Sequence, residues 1–239
     1  MTTNIEQIKE EVSKLFANDR SWHWDDHTFR VYDLAMKFCD EEDADREIVA
    51  LATLLHDADD YKIFWEENSK NLTNAKRIMK NASVSEEKQK AVCDIVSSMW
   101  YSKLLKWIRP QTIEWKIVSD ADMLDAMGAN GVIRSVVYAV SHKWNGVIFD
   151  KNIHPNVNIT WDEYNLGGVI HSTDNAINHF FEKLLKLKNL MMTEVGKREA
   201  KDRHKLMVIF LRQFFKEENV SNWSEFLEEF LVNNNLWID

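Results

Sequence analysis

The sequence predicts an all-α protein. Glycine and proline number only 6 and 2 in 239 residues, whereas strand-rich folds need many tight turns built from them. Apolar residues recur at helical spacing along most of the chain. Hydrophobic residues make up 45%, enough for a buried core.

The first helix reads from Ile5 to Phe16, with Ile5, Ile8, Val12, Leu15 and Phe16 at helical spacing. The second follows Asp25-Asp26-His27, where either aspartate can serve as N-cap, and carries Phe29, Val31, Leu34, Ala35 and Phe38. A third starts near Asp45 and holds Ile48, Leu51, Ala52, Leu54 and Leu55. It is apolar on nearly every side, so it is expected to be the central, buried helix. It runs directly into His56-Asp57-Ala58-Asp59-Asp60. Charged groups rarely follow a buried helix unless they are used.

Asn71 to Ala82 and Ser85 to Met99 read as two further helices, the second with a Ser85 cap that lacks the reciprocal Glu at its third position. Pro110 fits the first turn of the next helix, which carries Ile113, Trp115, Ile117, Val118, Met123, Leu124 and Met127. Gly128 and Gly131 flank Asn130, which predicts a helix end and restart, with Ile133 to Val140 helical. Asn145 to Gly168 holds scattered glycine, proline and aromatic residues and reads as an irregular excursion, a lid or a partner contact. Helical pattern resumes over Thr173 to Leu187, Gly196 to Glu218 and Trp223 to Leu236. No linker divides the chain, so residues 1–239 are expected to form a single domain, with a core at about 20–145, the excursion at about 145–170 and C-terminal helices at about 171–239.

The net charge of -9 argues against broad capture of nucleic acid or anionic membrane, but leaves room for a small phosphate held by local cations. Cys39 and Cys93 lack metal-ligand spacing and read as buried free thiols in a reducing compartment. No N-terminal stretch pairs a basic start with an apolar run, and segments such as Leu206 to Leu211 are too short to span a bilayer. The expectation is a cytoplasmic protein with no membrane partner.

A hydrolytic metal site needs three or four protein ligands and open positions for water and substrate. Candidates stand on three helices: His27, the adjacent pair His56-Asp57, and an acidic residue of Ser119-Asp120-Ala121-Asp122. Adjacent helical residues point about 100° apart. His56 and Asp57 can therefore share one ion only if it sits at the helix end. Singly, these residues say little, because a lone His near a helix start more often caps or faces solvent. The joint pattern carries the reading.

That pattern resembles the HD-domain metal-dependent phosphohydrolase superfamily, whose signature is a His, a His-Asp pair and a distant Asp. The likeness is to the small bacterial YedJ/YpgQ-like branch and runs over most of the chain. It includes His23 and His27 before Arg30-Val31, Leu54-Leu55-His56-Asp57 with Asp59-Asp60-Tyr61-Lys62, and Asp120-Ala121-Asp122 with Leu124-Asp125-Ala126. It continues in Gly128-Ala129-Asn130-Gly131 with Arg134, and in Lys183 to Leu187, Thr193, Gly196, Ala200 and Arg203.

The resemblance implies one bundle-like helical domain with a single ion at its centre, held by His27, His56, Asp57 and Asp122. Asp122 is preferred to Asp120 because related enzymes place the ligand in an Ala-Asp-x-Leu context; Asp120 would instead orient a ligand histidine from behind. Two departures stand out. Many relatives have Asp three residues before the first ligand, where this chain has Trp24, and some have His where it has Met99. Two-metal relatives add histidines between the pair and the last Asp. This chain has none between His56 and His142, which implies one divalent ion, Mn²⁺ or Mg²⁺ first, with Co²⁺, Ni²⁺ or Zn²⁺ as alternatives.

The expected reaction is attack of a metal-activated water on phosphorus, with a carboxylate handling the proton. Asp60 is the candidate, because related hydrolases carry an acid three residues after the pair's Asp, and Asp59 competes. Lys62, Lys103 and Arg134 are candidate phosphate contacts, and His23 a candidate substrate contact. Arg30 shares a helix face with His27 and is assigned an ion pair. The other histidines, His142, His154, His171, His179 and His204, have no ligand spacing. Most of the 10 tryptophans sit at core spacing, while Trp100, Tyr101 and Tyr61 lie near the motifs and could stack a base. The substrate class is a small phosphate ester or anhydride, a nucleotide in the first instance, with pyrophosphate released from a triphosphate. Alternatives are a monophosphatase or phosphodiesterase, a non-catalytic nucleotide-binding module, and a helical scaffold with an accidental His-Asp pair. The sequence allows a homodimer without indicating one.

Overall fold

The computed structural model of the protein describes residues 3–17, 25–61, 63–99, 110–141, 147–158 and 175–238. These residues are helical with irregular connections and no strand among them. They group into two compact units, 1–122 and 123–239.

In the first unit, helices α1 (Ile5–Phe16), α2 (Asp25–Phe38) and α6 (Glu86–Val96) pack against α3 (Arg46–Leu55). Val49 to Leu55 are all buried, as an all-round apolar helix demands. Asp45 fixes its start by accepting hydrogen bonds from the Glu47 and Ile48 amides.

Helix α4 (Glu66–Asn71) was not predicted, because Glu-Glu-Asn-Ser-Lys-Asn has no apolar residue to mark a buried face. It stops at Leu72, which sits in the left-handed region with φ 51 and gives way to α5 (Thr73–Asn81). The predicted Asn71–Ala82 helix is therefore cut at its start. Helix α7 (Ile113–Asp125) begins after Thr112, whose hydroxyl accepts the Trp115 amide at 3.2 Å, so Pro110 lies just ahead of the first turn rather than within it.

In the second unit, α8 (Gly128–Ser141) opens at Gly128, φ +68. The predicted helix over Thr173 to Leu187 is divided into α9 (Ala176–Glu182) and a 3₁₀ helix (Leu184–Leu190). Helices α10 (Glu194–Glu217) and α11 (Ser221–Asn233) follow. Trp223 is fully buried and its ring meets Phe149, Phe181, Phe215 and Phe226. Packing is thus the role of Trp223, but Trp65 and Trp237 are exposed, against the expectation for core tryptophans.

The excursion is irregular where described, over 147–158, and it is pinned: Trp223 Nε1 donates to the Lys151 carbonyl and Asn178 Nδ2 to the Ile153 carbonyl. Both cysteines are free; Cys39 is buried and Cys93 half-buried. No helix among the described residues is long and apolar enough to cross a membrane.

Candidate metal centre

Three helices of the first unit deliver the four candidate ligands. His27 lies in the first turn of α2 and is 3% exposed. His56 is the C-cap of α3, and the chain tightens there: the Ala58 amide bonds to the Leu55 carbonyl and the Asp60 amide to that of Asp57. This three-residue turn brings the adjacent His56 and Asp57 side chains to one point, His56 Nε2 lying 3.2 Å from Asp57 Oδ2. His27 Nε2 is 3.2 Å from His56 Nε2 and 3.6 Å from Asp57 Oδ2. Asp122, in the last turn of α7, places Oδ1 3.4 Å from His27 Nε2 and 3.8 Å from His56 Nε2.

The donor chemistry fits a metal ion. Bonds of about 2.1 Å at right angles or tetrahedral angles separate neighbouring donors by about 3.0 to 3.4 Å, close to the spacings here. Nδ1 of His56 lies 2.7 Å from the Thr53 carbonyl, an acceptor, so Nδ1 carries a proton and Nε2 is the nitrogen that would bind an ion. Burial opposes charge on His56, but the Asp57 carboxylate, its hydrogen bond and Asp122 outweigh that and raise its pKa to about 10. Burial likewise opposes charge on Asp122, while the His27 hydrogen bond and the His56 charge hold its carboxyl below the usual range. The centre thus favours positive charge, which a divalent cation held by these residues would supply.

Helix α7 adds to that demand. It carries Asp120, Asp122 and Asp125 near its C-terminus and no basic residue in its last turn, where the helix dipole disfavours carboxylates. His27, His56 and Asp57 are buried, whereas the Asp122 side chain is 32% exposed, so the cluster is open on that side.

Asp120 is fully buried, about 200° round the helix from Asp122. Asp59 has a defined task. Its two oxygens accept the Asn74 and Ala75 amides, both at 2.9 Å, capping α5 across 15 and 16 residues. Burial raises its pKa and those amide bonds oppose the rise. Asp60 is 5% exposed in the same turn, and Arg30 is exposed on α2. Arg134 pairs with the buried Asp125 at 2.8 Å in the second unit. His23, Lys62, Lys103, Trp24, Trp100 and Tyr101 lie outside the described residues.

One contributor had no sequence signal: the Thr53 carbonyl that orients His56, since any residue one turn back offers a carbonyl. The glycines and Arg203 of the matched segments have structural roles in the second unit. A Cβ on Gly131 would meet the Ala126 carbonyl oxygen at 2.3 Å. Arg203 donates to the Leu124 carbonyl at 2.7 Å, satisfying a helix end. Thr193 caps α10 through the Gly196 amide.

A helical fold with His, His-Asp and Asp converging defines the class, and the comparisons agree. The HD domain family model matches residues 24–127, which contain all four candidate ligands. Bacillus subtilis YpgQ is 32% identical over 215 residues, covering 89% of this chain and 92% of YpgQ. The chain belongs to the HD-domain family, in the branch that holds YpgQ.

Its fold matches a Lactobacillus plantarum protein with a TM-score of 0.77 and 31% identity, over 92% of this chain and 99% of that one. An HD-superfamily hydrolase from Bacillus thuringiensis matches with a TM-score of 0.68 and 34% identity, over 90% and 97%. The structure of YpgQ in complex with ADP matches with a TM-score of 0.64, over 90% and 97%. Membership places the chain among HD-superfamily hydrolases and the metal-dependent phosphohydrolases in general.

Proposed function

We propose that this protein is a metal-dependent nucleotide phosphohydrolase that releases pyrophosphate from nucleoside triphosphates. The observation that carries the reading is the meeting of two imidazoles and two carboxylates from three helices at one point, open on the Asp122 side. His27, His56, Asp57 and Asp122 would hold one divalent ion, with Mn²⁺ or Mg²⁺ the first choice for this mixed nitrogen and oxygen set. Such an ion supplies Lewis acidity towards phosphate oxygens and acidifies a water for attack on phosphorus. The remaining work falls to the chain. The Thr53 carbonyl holds the proton on His56 Nδ1, keeping Nε2 free as a donor atom. Asp60, in the turn that follows the His56-Asp57 pair, takes the proton from the attacking water. Asp59 is occupied with the start of α5, which favours Asp60 for that role. His23, Lys62, Lys103 and Arg134 are the substrate contacts to test, and loss of a true phosphate contact raises KM. The ADP bound by YpgQ supports a nucleotide as the ligand class.

Metal analysis and a nucleotide panel on wild type and Asp57→Ala test this reading. Wild type is expected to hold close to one metal per chain and to release pyrophosphate from triphosphates, and Asp57→Ala to do neither. Orthophosphate from monophosphates would instead identify a monophosphatase. Tight nucleotide binding without turnover under any divalent metal would identify a binding module, and a metal-free wild type would leave the His-Asp pair accidental.

A further inference from the structure

The first unit carries a second polar feature, on α5 and α6, that the metal centre does not use. Lys76, Arg77 and Lys80 of α5 and Gln89, Lys90 and Cys93 of α6 line a cleft of roughly 400 Å³. Arg77 also pairs with Glu11 of α1 at 2.9 Å. The Lys76, Lys80 and Lys90 ammonium groups make no side-chain hydrogen bond or ion pair among the described residues. Elsewhere Lys9, Lys70, Lys88 and Arg212 each meet a carboxylate. Lys76 and Lys80 stand one turn apart on α5, a like-charge pair that weakens a helix. Cations gathered in a concave place concentrate positive potential and attract anions.

We propose that this cleft binds a small, multiply charged phosphate anion. Ammonium groups on flexible stems act as point charges suited to phosphate oxygens. Among the described residues no aromatic lines the cleft, so recognition there rests on the phosphates rather than on base stacking. The volume suits a small ligand, and the net charge of -9 opposes a long nucleic acid. Cys93, half-buried in the same lining, reports on occupancy.

The test is the rate of Cys93 alkylation by iodoacetamide, read by peptide mass spectrometry with and without tripolyphosphate at matched ionic strength. With tripolyphosphate at about ten times its Kd, the exposed fraction, and with it the rate, falls about tenfold. The Lys80→Glu/Lys90→Glu variant, its fold checked by circular dichroism, is expected to lose that protection, and Asp57→Ala to keep it. ATP in parallel separates the sources. Protection by tripolyphosphate alone indicates a free polyphosphate, protection by both admits a nucleotide tail, and either supports the site. An unchanged rate in wild type overturns the proposal, as does protection that survives charge reversal or vanishes in Asp57→Ala. The Cys93 readout is independent of turnover, so failure here and failure of the phosphohydrolase reading are distinguishable.

Discussion

Asp59 and Asp60 are neighbours in one turn, yet their surroundings differ. Both Asp59 oxygens face amides of α5, whereas Asp60 is assigned the proton. The two roles separate by measurement. Asp60→Asn should lower kcat by about 10² to 10⁴, the usual range for a positioned acid or base, with Tm unchanged. Asp59→Asn turns an amide group towards an N–H that needs an acceptor, so Tm should fall by more than kcat. If Asp59→Asn abolishes turnover with Tm intact, the roles are reversed.

A second residue-scale prediction concerns acid. His204 is fully buried, and its Nε2 lies 2.6 Å from the Leu236 carbonyl. Burial pushes its pKa down to about 4, with Lys188 adding to the effect and the Leu236 carbonyl opposing it. The unfolded chain protonates this group from its ordinary 6.5, the folded chain only near 4. The unfolded state therefore binds the extra proton, and stability falls as pH drops from 6.5 towards 4, by on the order of 1.4 kcal/mol per unit at most. His204→Gln retains a donor for Leu236 and should flatten that part of the profile. Urea midpoints across the window check it, and an unaltered slope in His204→Gln would refute the assignment.

At the scale of elements, apolar spacing carried α1, α3, α10 and α11 to within a few residues, because each buries a continuous face. Where spacing failed, the cause lay elsewhere in the chain or in a missing pattern. The start of α5 is set by Asp59, fifteen residues upstream, which no local cap signal reveals. Helix α4 is polar throughout, and the 3₁₀ stretch Leu184–Leu190 has an apolar pattern that also suits an α-helix. The acid-dense end of α3 singled out His56 and Asp57 as residues in use, whereas His27 and Asp122 were read from the likeness to the HD-domain pattern. The Thr53 carbonyl was not legible, since backbone groups leave no mark in sequence.

These packing arguments can be tested at single positions. Asp59→Ala removes both capping hydrogen bonds at the start of α5 and should cost about 1 to 2 kcal/mol. Gly131→Ala puts a methyl 2.3 Å from the Ala126 carbonyl oxygen, where backbone must yield, and should cost about 1 to 3 kcal/mol. Denaturant unfolding measures both. A neutral Gly131→Ala would show that α8 can shift without loss.

For the whole molecule, the proposed metal ties together residues far apart in sequence, from His27 on α2 to Asp122 on α7. An unfolded chain rarely brings these donors together, so a bound ion favours the folded state. At a free concentration about one hundred times Kd, that linkage is worth about 2.7 kcal/mol. A chain of this size changes Tm by about 2 to 4 °C per kcal/mol, so Mn²⁺ should raise it by about 5 to 10 °C over chelator-treated protein. The Asp57→Ala variant serves as the control. Removing one carboxylate leaves His27, His56 and Asp122 too few and too weakly charged to hold the ion in competition with water. Scanning calorimetry of both proteins, with metal and with chelator, should therefore show a shift in wild type and almost none in the variant. A shift of equal size in both would place the ion elsewhere on the chain. No shift in either would mean that the four side chains meet for structural reasons and that the fold here operates without the metal its family binds.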